Sequence, residues 1–252
     1  MYIFGRNPVL EALRGDREIE KIFIRHGAED GGTAQIRSEA QKRSVACVVA
    51  DTRKFGAMER ELKAGMHAAQ GVIALVSPVP RRSLLELIDL AYERSDSPVL
   101  AALDGISDPH NLGAIARSAE CAGIHGLIIP ERGGAPITNV ALKTAAGAFE
   151  HLPVAKVGPL EKALIDCKNA DFRLVGCADA GAEDYDAVDY DGPQVIIIGS
   201  EGAGISAPIL KMCDVQVRVP MAGKISSLNA SVAAGVMFFE ILRRRRHAEK
   251  SA

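Results

Sequence analysis

The chain has no tryptophan, and aromatic residues make up only 4% of its 252 residues. A stacking platform of the kind that grips unpaired bases is therefore not expected. An excess of positive charge is also missing: 30 Lys and Arg stand against 32 Asp and Glu, for a net charge of −2. Phosphate binding normally shows as a basic excess or patch. Local cations occur at Arg81-Arg82 and Arg243–Arg246; by charge alone they read as a solvated linker and a helix end. No apolar run reaches the length of a membrane span. Arg6, Asn7 and Pro8 interrupt the start before a secretory hydrophobic stretch can form. The five cysteines (Cys47, Cys121, Cys167, Cys177 and Cys213) include no CxxC pair, which points to reduced, buried thiols in a cytoplasmic protein. The six histidines are dispersed and make no metal-ligand constellation, so no metal is expected. Hydrolase signatures are absent too: no GxSxG elbow, no Cys/His pair and no usefully spaced pair of carboxylates.

What is present divides into two parts. Residues 1–76 read as a small α/β/α domain, residues 77–82 (SPVPRR) as a linker that neither strand nor helix can continue, and residues 83–252 as a larger α/β domain. In the small domain, Gly5–Leu13 opens a helix with Asn7 as cap and Pro8 at its first position. Lys21–Arg25, Val45–Ala50 and Gly71–Val76 read as strands, with helices over Ala34–Arg43 and Thr52–Leu62. The loop before the last strand carries His67 and Gln70, both able to contact RNA or simply to fill a turn.

The larger domain alternates strand and helix from Val99 onward, with about six short parallel strands. Ser83–Arg94 is an amphipathic helix. Asn111 or Asp108 caps a helix running to about Cys121. Asn111 and Arg117, six apart, point in different directions if both are helical and can share a cleft if Asn111 lies in the loop. Ala141–Phe149 reads as one small-residue helix and Glu183–Asp191 as an acidic loop.

The central stretch lies later. Val195–Ile198 is an unbroken β-branched run with the pattern of a strand buried on both faces. It ends in Gly199-Ser200-Glu201-Gly202-Ala203-Gly204, which places a carboxylate in a glycine-rich loop at a strand end. That loop is neither a dinucleotide fingerprint nor a Walker A loop. A second strand, Val215–Val219, delivers a second polar loop over Met221–Ser227. Asn229 or Ser227 then caps a helix through Leu242 that ends in Arg243–Arg246. In open α/β sheets ligands bind at such strand ends, and two loops of this kind could offer main-chain donors and acceptors to an adenosine.

Three blocks resemble, in order, the motifs of the SpoU family of S-adenosylmethionine-dependent RNA ribose 2′-O-methyltransferases, within the SPOUT superfamily. They are Asn111-x-Gly113-x-x-x-Arg117; Ile198-Gly199-Ser200-Glu201-Gly202-x-Gly204; and Val219-Pro220-Met221-x-Gly223-x-x-Ser226-Ser227-Leu228-Asn229-x-Ser231. The opening Gly5–Leu13 block and the loop His67…Gln70-Gly71 further resemble the N-terminal domain of the subgroup that methylates a guanosine of large-subunit ribosomal RNA.

The resemblance implies an α/β fold: a mainly parallel sheet tied in a deep trefoil knot, otherwise nearly absent from proteins, behind a small ribosomal-protein-like α/β/α domain. It implies a cytoplasmic homodimer with the active site near the interface, RNA as partner, and S-adenosyl-L-methionine as methyl donor without a metal. For donor binding it points to Gly199, Val219 and Leu228, with Ile198, Ser200, Gly202, Pro220, Met221 and Ser227 around them. For catalysis it points to Arg117, Asn111, Glu201, Ser227 and Asn229, with Glu201 holding Arg117 or Asn111. Against RNA it points to Arg6, His67, Gln70 and Arg117. Arg117 is the candidate base, but a guanidinium with a pKa above about 12 is a very weak one, so an electrostatic and positioning role competes. Three other readings stand beside this one: a silent RNA-binding or ribosome-assembly protein of the same fold, a transfer-RNA enzyme, and a resistance enzyme acting on ribosomal RNA.

Overall fold

The computed structural model describes the chain except residues 1, 16–18, 29–30, 63–67, 77–78, 179–182, 225–226 and 252, and the side chains of 248–251. His67, expected to touch RNA, lies outside the described residues. The chain forms two compact units, Met1–Pro80 and Arg81–Ala252.

The first unit runs β1 (Tyr2–Phe4), α1 (Arg6–Arg14), β2 (Ile19–Arg25), α2 (Gly31–Lys42), β3 (Ala46–Ala50), α3 (Thr52–Glu61) and β4 (Val72–Val76). The sheet order is β1-β4-β2-β3, with β2 and β3 parallel and β4 antiparallel to both β1 and β2. Alternation along the strands sends Ile22, Ile24, Val72 and Ala74 to the face covered by α1 and α2, and Ile73 to the face covered by Phe55 of α3. Strand β1 was not expected, because three residues are too few to show a period. The cap of α1 also differs from expectation: it is Gly5, not Asn7, with φ 91° and no side-chain cap. That left-handed backbone turns the chain from β1 into α1 within one residue, a conformation glycine adopts without penalty.

The second unit runs α4 (Leu84–Arg94), β5 (Val99–Asp104), α5 (Pro109–Cys121), β6 (Gly126–Pro130), α6 (Asn139–Ala145), β7 (Val154–Val157), α7 (Leu160–Asn169), β8 (Arg173–Cys177), β9 (Glu183–Asp184), β10 (Gln194–Gly199), α8 (Ala207–Met212), β11 (Val215–Arg218) and α9 (Ala230–Ser251). The reciprocal Ser83–Glu86 capping box starts α4. Seven strands form one sheet in the order β7-β6-β5-β10-β8-β11-β9, and every neighbouring pair is parallel. The seventh strand, β9, lies in the stretch read as an acidic loop; two acidic residues on a sheet edge carry no hydrophobic period. The helix expected over Ala141–Phe149 stops at Ala145, because Ala146 and Gly147 both turn left-handed (φ 49° and 94°). Val195–Ile198 are buried at the centre of the sheet, each isoleucine worth about 1.5–3 kcal/mol relative to exposure.

The arginine run is not a helix end, because α9 continues through it to Ser251. Three of its four arginines are engaged by neighbouring groups. Arg243 and Arg244 both clamp the buried Glu240 at 2.8 Å and hold its carboxyl below the usual range. Arg244 also donates to Asp186 O, and Arg245 to Gly192 O at 3.2 Å. Arg81 pairs with Glu131. All five cysteines are free, but only Cys167 is fully buried, with burial pushing its thiol up to about 12; Cys121 is exposed.

Candidate active site

The site grows from the C-terminal ends of neighbouring strands. β5 and β10 end in register, Asp104 beside Gly199. The next residues bend back on themselves: Ser200 N donates to Gly204 O at 3.1 Å and Gly204 N to Ser200 O at 2.9 Å. Asp104 Oδ2 accepts from Ser206 N at 2.6 Å and so fixes where this loop returns. Gly199 sits where no side chain fits, since a Cβ there would lie 2.1 Å from Gly204 C and 2.3 Å from Ile205 N.

Glu201 projects from this loop and meets the other two motifs. Helix α5 starts at Pro109, with Asp108 as cap accepting from His110 N at 2.9 Å. Asn111 is therefore helical, and its amide is buried. Asn111 Nδ2 donates to Glu201 Oε1 at 2.9 Å. Asn229 Nδ2 donates to the same carboxylate oxygen and, at 3.1 Å, to Asn111 Oδ1. Asn229 Oδ1 in turn accepts from Ser231 N at 2.9 Å and Ser231 Oγ at 2.6 Å, which caps α9. A carboxylate only accepts, so this network fixes which way both amides face. Residues 90 and 118 apart in sequence thus form one polar triangle. Ser231 and Asp104 were not singled out as site residues; the Asn-x-Ser spacing of an N-cap is the signal that points to Ser231.

Arg117 is not part of the triangle. On α5, Asn111 and Ser118 face the side of α9, where Gly235 approaches Ser118 Oγ. Gly113 faces α6 so closely that a Cβ would lie 2.4 Å from Ala141 O. Arg117, one turn beyond Gly113, follows that side. Its side chain is exposed and hydrogen-bonds neither Glu201 nor Asn111. Of the two partners expected for Glu201, it holds Asn111, and of the two placements weighed for Asn111, the helical one with divergent directions is found.

The remaining candidates line the two loops. The Ile198 side chain is core, so only its main chain can face a ligand. Val219 and Leu228 are half-buried, while Pro220, Met221, Gly202 and Ser227 are exposed. No main-chain hydrogen bond joins residues 219–224 or 227–228 to the rest of the described chain. Of these residues, Pro220 has only its C=O to offer. In the first unit, Gln70 Oε1 accepts from Arg6 N at 3.2 Å, and Arg6 Nε donates to Gln70 O at 3.3 Å.

Glu201→Ala removes the acceptor that both amides share. The expected result is a fall in turnover of about 10²-fold, the scale for losing one pre-organised polar group, with the melting temperature lowered by a few degrees because the buried Asn111 amide loses its acceptor. Unaltered turnover in a steady-state assay would remove the triangle from the chemistry.

Comparison with known proteins matches two family models to the chain. Residues 98–239 match the model of the SpoU rRNA Methylase family, and residues 2–81 match the model described as RNA 2′-O ribose methyltransferase substrate binding. A Bacillus subtilis protein assigned to the TrmH family of tRNA/rRNA methyltransferases is 36% identical over 97% of this chain and 96% of its own length. An uncharacterized tRNA/rRNA methyltransferase of Mycolicibacterium vanbaalenii is 39% identical over 98% of this chain and 77% of its own. Among solved structures, the SpoU methyltransferase AviRb from Streptomyces viridochromogenes, in complex with the cofactor AdoMet, superposes with a TM-score of 0.60. It is 24% identical, over 98% of this chain and 90% of that one.

Proposed function

The chain belongs to the SpoU rRNA methylase family, and from that premise we propose that it methylates a ribose 2′-hydroxyl of large-subunit ribosomal RNA, at a guanosine, using S-adenosyl-L-methionine. The observation that carries the reading is the Asn111–Glu201–Asn229 triangle, in which all three family motifs meet through side-chain hydrogen bonds. A protein that had kept only the fold would have no need of that constellation. In this reading residues 1–76 bind RNA, residues 77–82 link, and residues 83–252 form the knotted catalytic domain of a homodimer. The name of the Bacillus subtilis relative covers both tRNA and rRNA; the description of the family matched by residues 98–239 names rRNA, which favours the ribosomal substrate.

The donor fits the loops. An adenosine and an amino-acid tail need main-chain donors and acceptors, which residues 219–224 and 227–228 offer. Gly199, Ser200, Gly202, Val219, Pro220, Met221, Ser227 and Leu228 would hold it. When bound, it supplies a methyl carbon activated by a sulfonium. The attacking hydroxyl would form the new C–O bond as the S–CH3 bond of the donor breaks, which leaves a neutral thioether, and would pass its proton to solvent or to the adjacent RNA phosphate. No histidine lies within the three motifs to take that proton. The Arg117 guanidinium stabilises the developing alkoxide and holds the adjacent RNA phosphate. Asn111 and Asn229, fixed by Glu201, orient the ribose together with Ser227.

Arg117 faces away from the triangle of its own protomer, so we assign it to the site of the second copy. The exposed apolar side chains of Val140 on α6 and of Val232 and Phe239 on α9, 49–53% accessible, support such an interface.

The test is methyl transfer from labelled S-adenosyl-L-methionine to unmodified large-subunit rRNA, small-subunit rRNA and total transfer RNA, offered separately and then mapped. A 2′-O-methylguanosine in large-subunit rRNA is expected. Label confined to transfer RNA would keep the enzyme and overturn the substrate.

A further inference from the structure

The first unit holds a polar cavity of about 370 Å³ lined by Arg6, Arg25, Glu59, Gln70 and Gly71. That volume lies within the range of small-ligand sites. It forms where β2 ends, β4 begins and α1 starts. Arg25 N donates to Gly71 O at 2.9 Å, and Arg6 is bonded to Gln70 through main and side chain. Gln70 and Gly71 are both left-handed (φ 48° and 78°), which turns the Gln70 carbonyl toward Arg6. Ala69 beside them is fully buried and anchors the turn. Arg25 and Glu59 are each half-buried in the same cavity. Among the described residues, neither side chain makes a hydrogen bond or ion pair with protein. Half-burying opposite charges without using them on each other is costly unless a ligand uses them.

We propose that this cavity holds an unpaired guanine of the substrate RNA, with Glu59 accepting from its N1–H and N2–H groups and Arg25 donating to O6 and N7. The inference rests on the reading above that RNA is the substrate. A phosphate is the poorer match, because two arginines alone would serve it and the Glu59 carboxylate would repel it. Among bases, only guanine offers a carboxylate two parallel N–H donors while presenting two acceptors to arginine on its other edge. Adenine and cytosine each give a carboxylate a single amino group, and uracil a single N–H. Unpaired bases are the usual targets of sequence-specific RNA recognition. No aromatic residue lines the cavity, so edge hydrogen bonds and the arginine planes would take the place of aromatic stacking.

The experiment is a binding selection with the full-length chain and no methyl donor. The probe is a pool of RNA stem-loops with eight random loop nucleotides, sequenced after one round. Wild type should enrich guanine at one loop position about fivefold or more over the input. Glu59→Gln and, independently, Arg25→Gln should each bring that enrichment back to the input level, with circular dichroism unchanged. A pool showing no guanine enrichment overturns the proposal. So does equal enrichment by Glu59→Gln, or tighter retention of every sequence by Glu59→Gln, the signature of a phosphate patch. Because no methyl donor is present, the outcome is independent of whether methyl transfer to ribosomal RNA is found.

Discussion

Arg117→Ala is expected to lower methyl transfer by about 10³-fold, while donor affinity measured by calorimetry stays within about twofold of wild type. The magnitude follows from what an aimed cation contributes when charge develops on an oxygen: about 10²–10³ in turnover for one electrostatic donor, and about 10²–10⁴ when proton transfer also depends on it. The split follows from the structure. Arg117 is exposed on the α6 side of α5, away from the loops at Gly199 and Val219 assigned to the donor, so its loss leaves those loops intact. Turnover like that of wild type would remove Arg117 from the mechanism. A mixed dimer sharpens the result. Arg117→Ala and Glu201→Ala, each defective alone, regain activity when co-expressed only if the arginine of one protomer completes the triangle of the other. In such a heterodimer one site then has both groups, whereas with each arginine serving its own protomer neither site does. No recovery, with heterodimers demonstrated by tagged co-purification, would return Arg117 to its own protomer.

The elements legible in the sequence were those whose cause is local. Val195–Ile198 reads as a buried strand because β-branched runs suit a strand covered on both faces, and β10 occupies the middle of the sheet. Ser83 and Glu86 read as a helix start, and the capping box is there. What could not be read depended on partners far away in sequence. The order of the seven strands, the pairing of β9 with β11, and the bonds of Arg244 to Asp186 O and of Arg245 to Gly192 O all arise from tertiary contacts. The arginine run shows how this misleads: four consecutive cations at the end of an apolar segment look like a helix terminus, yet the helix continues, with Arg244 and Arg245 also bonded to carbonyls of residues 186 and 192.

The site was legible in a different way. The three motifs named Asn111, Glu201 and Asn229 as candidates but could not say which would touch. Spacing left two placements open for Asn111, and the cap decided between them: Asp108, not Asn111, satisfies the first turn of α5. That frees the Asn111 amide for Glu201 and puts Arg117 about two-thirds of a revolution around the helix. The six-residue spacing carried that divergence for a helical Asn111, and the Asp108 cap is what selects the helical placement.

Gly199→Ala is expected to produce a larger structural effect than alanine at any other described glycine. The added Cβ would lie 2.1 Å from Gly204 C and 2.3 Å from Ile205 N. Both are backbone atoms, and that segment is held by the paired Ser200–Gly204 hydrogen bonds and by Asp104 on Ser206 N. The loop cannot yield without breaking them. Overpacking of this kind costs about 1–3 kcal/mol or more, which for a unit of this size lowers the melting temperature by roughly 2–4 °C per kcal/mol. Donor binding should fall by about 10²-fold, since the displaced loop carries Ser200 to Gly202. Gly202→Ala separates this clash from a general sensitivity of the loop. Gly202 is left-handed at φ 84°, but the space around it is open, so alanine there meets only backbone strain of about 1 kcal/mol and should leave most donor binding in place. If Gly199→Ala and Gly202→Ala behave alike in thermal melts and donor titrations, the tight return of the chain at Gly204 is not what shapes the donor site. If they diverge as expected, the absence of a side chain at Gly199 is itself a binding determinant, because it lets the end of β10 and the returning loop lie in contact.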